Sequence, residues 1–158
     1  MLAALNGLDV RTCDIQNAYL TAPCREKVWT YAGEEFGSEK GSIMIVVRAL
    51  YGLKSSGAAF RAHLAERLYE MGFKPSKADP DVWMRPDVKE DKSEYYEYVL
   101  VYVDDCMAIS MDAIGVLKEI QETFKLKGDK MEKPDMYLGA RLEQMEAGVK
   151  TGLAIGMV

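Results

Sequence analysis

A chain of 158 residues can enclose one compact core, and its apolar and charged fractions are ordinary for a folded protein in water. Its net charge of −5 weighs mildly against nucleic-acid binding, since phosphate is gripped by Lys and Arg. No apolar run reaches about 18 residues, which excludes a helical membrane span.

In chain order, "MLAALNG" reads as a helix tail closed by Gly7, an abrupt start that suggests a chain beginning inside a larger fold. No basic leader precedes an apolar h-region, so no secretory signal is expected. "LDVRTCDI" alternates as a strand, with Leu8, Val10 and Thr12 on one face and Asp14 at its end. "QNAYLTAP" is a short helical turn stopped before Pro23. "KVWTY" and "SIMIVV" read as strands around the loop "AGEEFGSEKG".

From Ser56 the period changes. Phe60, Leu64, Leu68 and Met71 form one apolar helical stripe that stops near Gly72. "DVWM" and "YYEYVLVYVDDCMAIS" give further strands, joined by the polar "PDVKEDKSE". "DAIGVLKEIQETFKL" reads as an amphipathic helix ending before Gly128, with Asp112 in its first turn, where the macrodipole favours an anion. "MYLGARLEQMEAGVKTGLAI" closes the chain as a hairpin turning at Ala147-Gly148. The whole predicts one domain over 1–158 of α+β class: an antiparallel sheet with two main helices on one face.

Three cysteines (Cys13, Cys24, Cys106) lack metal-type spacing and point to reduced thiols in an intracellular setting. The single histidine, His63, has no convergent partners for zinc and reads as a helix surface residue. The unusual feature is "YVLVYVDDCMAIS", where Asp104 and Asp105 interrupt an apolar run. Buried carboxylates are costly unless compensated. A β-turn explains them, because Asp bonds nearby backbone amides. A divalent metal site also explains them, because hard carboxylate oxygens suit Mg²⁺. Asp14, at another strand end, is the further acid such a site needs.

"YVDD" resembles the catalytic hairpin of reverse transcriptases, and "DIQNAYLTAP" resembles their first catalytic motif, an Asp followed five residues later by an aromatic. "LYGLKSSGAAFRAHL" resembles their Gly-x-Lys turn leading into a long helix. The order "LYGLK", "ADPDVW", "YVLVYVDD" and "MYLGARLE" is most similar to the reverse transcriptase of Ty1/copia-type LTR retrotransposons. Ser55-Ser56-Gly57 departs from the Gln-Ala-Pro-like stretch usual in that family.

The resemblance implies a reverse-transcriptase palm, an RNA-directed DNA polymerase that attaches nucleotides to a primer 3′-hydroxyl with two Mg²⁺ ions, or Mn²⁺. Asp14, Asp104 and Asp105 are then the catalytic metal ligands, and the Ile15 carbonyl completes the shell. Tyr19 falls at the steric gate against a ribose hydroxyl; a core aromatic is its other reading. Tyr51, Gly52 and Lys54 would floor the nucleotide pocket, although Lys54 reads equally as a solvated cation. Met136, Tyr137, Leu138 and Gly139 would position the primer, or form a plain apolar strand. Lys127 and Lys130 are candidates to protonate pyrophosphate.

The implied partners are an RNA/DNA template-primer, deoxynucleoside triphosphates and the other polyprotein domains: fingers, thumb, ribonuclease H and integrase. No membrane is implied, and the expected location is an intracellular particle or the nucleus. The family's fingers and thumb lie outside the matched motifs, so the chain is expected to be the palm alone and to polymerise poorly or not at all by itself. The acidic balance fits, since much of the cationic cradle belongs to those absent parts. The alternative is an inactive or domesticated palm serving as a binding or structural module. A metal nuclease using the same acids would leave Tyr19 without a role.

Overall fold

These periodicities become helices and strands in a computed structural model that describes the backbone of residues 2–138, 140–147 and 150–157, and the side chains of 2–138, 141 and 142. The elements run α1 (Leu2–Asn6), β1 (Asp9–Asp14), α2 (Ala18–Thr21), β2 (Trp29–Tyr31), β3 (Ile43–Ile45) and α3 (Ser56–Glu70). Then follow β4 (Lys74–Pro75), β5 (Val82–Val88), β6 (Glu94–Tyr102), β7 (Asp105–Ser110), α4 (Ala113–Gln121), β8 (Met136–Tyr137), β9 (Ala140–Ala147) and β10 (Lys150–Met157). With 30% helix, 32% strand and every described ladder antiparallel, the class is α+β. Among the described residues no helix is long and apolar enough to cross a membrane. The chain divides into two compact units, residues 1–16 with 67–158, and residues 17–66.

In the first unit, five strands pair in the order β1-β7-β6-β5-β4. One face carries the helices. Tyr69 of α3 meets Trp83 of β5 edge-on at 5.0 Å, and Arg85 of β5 donates twice to Glu119 of α4, at 2.9 Å each. Arg85 also donates to Glu97 Oε2 at 2.6 Å, and Ser110 Oγ donates to Glu97 Oε1 at 2.6 Å. Glu97 is only 4% exposed, so its charge depends on these donors. Ala3, Leu8, Val10, Tyr95 and Met107 form a further buried cluster, against which Leu100, Ile109, Tyr137 and Leu142 pack.

Two elements differ in length from expectation. β5 runs on through Pro86 to Val88, because β4 pairs only with Trp83 and Met84 and leaves the proline's missing N–H without a strand to serve. α4 stops at Gln121, several residues before Gly128, and the chain straightens so that Leu126 can bridge to Ile15. Asp112 caps the helix, its Oδ1 accepting from Gly115 N at 2.8 Å. β10, β9 and β8 form a separate three-stranded sheet. The expected β9–β10 hairpin is present, although Gly148 of its expected turn lies outside the described residues.

In the second unit, β2 and β3 pair as a hairpin, with Trp29 opposite Ile45 and Tyr31 opposite Ile43. All four side chains are exposed. The start of α3 buries Phe60 and Leu64, as the stripe predicts; Leu68 of its last turn and Met71, just past its end, are buried in the first unit.

Candidate active site

The site begins with register. β1 and β7 pair so that Asp14 stands directly opposite Asp105 and Cys13 opposite Cys106. Directly opposed residues of an antiparallel pair share a face, so the two carboxylates project together. β6 and β7 join through Val103 and Asp104, since Tyr102 pairs with Asp105. The turn therefore lies one residue earlier than an Asp-Asp turn would place it, and Asp105 belongs to the strand. Asp104 sits in the turn, its carbonyl accepting from Ile15 N at 2.8 Å. Val103 takes φ 53°, a left-handed value that a β-branched side chain rarely adopts.

The segment after α4 supplies the other wall. Ile15 bridges Leu126, and Gln16 N donates to Lys125 O at 2.8 Å. This pairing brings Lys127 across from Asp14, where its Nζ donates to Asp14 Oδ2 at 3.2 Å. Gly128, at φ 66°, then turns the chain, and Glu132 exchanges two backbone hydrogen bonds with Thr12. Together these segments enclose a cavity of about 400 Å³ whose lining includes Asp14, Asp105, Lys127, Met136, Tyr137 and Leu138. Thus Asp14, Asp105 and the expected primer-positioning residues 136–138 meet in one place, whereas Asp104, in the turn, is not among the lining residues. Gly139 lies outside the described residues.

Electrostatics mark the acids as mutually repelling. Burial first, then the charges of Asp104 and Asp14, push the Asp105 carboxyl above its usual value, and Lys127 partly offsets them. Burial, with smaller contributions from Cys106 and Asp105, pushes the Tyr137 phenol up to about 12. Its neighbour Cys13, and then burial, hold the Cys106 thiol well above its usual range, so it stays protonated and inert near neutrality. Cys13, Cys24 and Cys106 are all free thiols.

Among the described residues no group of three or more Asp, Glu, His or Cys side chains is placed to hold a metal ion. That does not oppose Mg²⁺, which takes one or two carboxylates and fills its shell with water and phosphate oxygens. Asp14 and Asp105, opposed across the two strands with the Lys127 ammonium beside Asp14, supply the one or two carboxylates such an ion takes. His63 lies half-exposed on α3, 3.8 Å from Glu66.

The remaining candidates lie in the second unit. Tyr19 stacks on Tyr51 with centroids 4.6 Å apart and lies 6.2 Å from the Phe60 ring. Tyr19 is half-buried and Tyr51 exposed, so their rings form one aromatic surface. Gly52 takes φ 96°, and Lys54 is exposed. Ile15 is buried, its side chain serving the core. Sequence reading missed Thr12, Gly128 and Glu132 in the cavity wall. Only the "KGD" turn signal hinted that this segment folds back.

With that geometry in place, comparison with known protein families matches residues 1–155 to the family described as Reverse transcriptase (RNA-dependent DNA polymerase).

Proposed function

The chain belongs to the Ty1/copia-type reverse transcriptase family, and from that premise we propose that it is a catalytic palm carrying out two-metal nucleotidyl transfer. The observation that carries this reading is the direct opposition of Asp14 and Asp105 on a cavity shared with Met136, Tyr137 and Leu138. Asp14 and Asp104, arriving from a strand end and an adjacent turn, would hold divalent ions, with Asp105 supporting them and the Ile15 carbonyl nearby. Bound there, such ions would supply Lewis-acid chemistry for the primer hydroxyl and the leaving pyrophosphate.

The protein's own groups position the reactants. Met136, Tyr137 and Leu138 give the primer end an apolar seat beside the acids. Tyr137 stays protonated at any physiological pH and so adds no charge to the acidic group. Tyr19, braced by Tyr51, is read as the ring that meets the sugar, and Gly52 and Lys54 as the floor of the nucleotide pocket. The substrates are an RNA or DNA template-primer and deoxynucleoside triphosphates; fingers, thumb, ribonuclease H and integrase are the polyprotein partners.

Cations are scarce. Lys127 and Lys130, the two in the cavity wall, are tied to Asp14 and Glu132. Polymerisation by this chain is therefore slow and salt-sensitive, because triphosphate and duplex need further positive charge. The same scarcity favours the second reading, a palm kept only for binding. Mg²⁺-dependent extension of a DNA primer on an RNA template separates them: the catalytic reading requires extension that Asp104→Asn removes.

A further inference from the structure

Lys127 is fixed opposite Asp14 by main-chain pairing. The Ile15–Leu126 bridge sets the register, Leu126 is fully buried, and Gly128 turns the chain immediately afterwards. Asp14 thus has Asp105 across one strand boundary and Lys127 across the other, with the ammonium 3.2 Å from Oδ2. That oxygen is one a cation would need.

We propose that Lys127 is a built-in competitor for divalent metal, its ammonium holding Asp14 until an ion displaces it. This rests on the reading of Asp14 as a metal ligand. The contact is poised to be displaced. The Lys127 side chain is 71% exposed and that of Asp14 36%, so the pair is solvent-screened and weak. A divalent ion brings twice the charge and bonds directly to oxygen, so it wins whenever it is abundant. In its absence the ammonium offsets part of the negative charge of Asp14, which stands directly opposite Asp105. Lys130, by contrast, pairs with Glu132 at 3.1 Å and does not hold Asp14.

The test titrates Mn²⁺ into the full chain and follows the free-ion electron paramagnetic resonance signal. Lys127→Gln is expected to bind Mn²⁺ about two- to fivefold tighter than wild type, the range into which an exposed ion pair converts. Lys127→Arg, which keeps the pair, should retain wild-type affinity. In an Asp14→Asn background the gain from Lys127→Gln should vanish, because nothing remains to compete for. Unchanged or weaker binding by Lys127→Gln would overturn the proposal, as would an equal gain with Asp14→Asn, which would indicate bulk charge alone. Asp14→Asn that binds Mn²⁺ like wild type would instead overturn the metal reading beneath it.

Discussion

Asp14 and Asp105 lie 91 positions apart (105 − 14) yet face each other as direct partners in adjacent antiparallel strands. Burial first, and then the neighbouring charges of Asp104 and Asp14, raise the folded state's proton affinity at Asp105. The raised value means the folded protein binds the proton more tightly than the unfolded chain. Its stabilising contribution is complete below the ordinary carboxylate range and is lost as pH rises through the folded value. Asp105→Asn, which mimics the protonated form, should therefore gain stability relative to wild type between acidic and neutral pH in the absence of metal. Thermal melts of both proteins at about pH 3 and pH 7 check this. An identical difference at the two pH values would contradict it.

Val103 supplies a second expectation. It occupies the first of two turn positions at φ 53°, while Asp104 keeps a negative φ, the pattern in which glycine is favoured at the first position. Val103→Gly should relieve Cβ strain that exceeds glycine's entropy cost, raising stability by about 1 kcal/mol. Val103→Ala keeps the Cβ and should gain much less. Urea unfolding of the three proteins distinguishes them, and a destabilised Val103→Gly would show that the turn is unstrained.

The lattice on the helix-covered face predicts large, coupled losses. Arg85 is held by Glu97, Glu119 and the Met71 carbonyl, and its guanidinium lies 4.5 Å from the Phe73 ring centre. Arg85→Ala strands Glu97 in the interior and should cost about 3–5 kcal/mol. Adding Glu97→Ala should restore part of that loss, because the uncompensated charge is gone. Denaturant titration of the single and double variants gives the coupling; strict additivity would mean the pair is not energetically linked.

Much of this was legible in the sequence. The Phe60–Leu64–Leu68–Met71 stripe and the Gly7 stop after α1 follow local rules of periodicity and capping, and the structure keeps them. In β1 the alternation holds for Leu8 and Val10, but beyond them Cys13 rather than Thr12 is buried. The three acids and the 136–138 segment were legible through motif resemblance. What escaped was set by pairing between distant segments. Thr12 with Glu132, and Lys127 with Asp14, meet because residues 124–132 fold back along β1, a register no local pattern encodes. The early stop of α4 has the same origin: apolar Phe124 and Leu126 continue a helical pattern, yet both are fully buried beyond the helix end.

Tyr19 carries the selectivity expectation. Its ring is braced by Tyr51 and Phe60, so Tyr19→Val removes a wall as well as a packing partner. If it is the sugar gate, the variant's ratio of ribonucleotide to deoxynucleotide incorporation should rise by at least about tenfold, the effect of roughly 1.4 kcal/mol of lost discrimination. Single-nucleotide addition with each substrate measures it. An unchanged ratio accompanied by a lower melting temperature would reduce Tyr19 to core packing.

If Asp14, Asp104 and Asp105 hold divalent ions for nucleotidyl transfer, DNA synthesis must depend on both the metal and these acids. Low-salt, RNA-templated primer extension with excess protein across a Mg²⁺ titration, comparing wild type with Asp104→Asn, tests this. Wild type is expected to show slow, Mg²⁺-dependent extension that weakens steeply with added salt and falls at least about 10²-fold in Asp104→Asn. Extension indifferent to Asp104→Asn, or none by wild type at any Mg²⁺ or Mn²⁺ concentration, would contradict it.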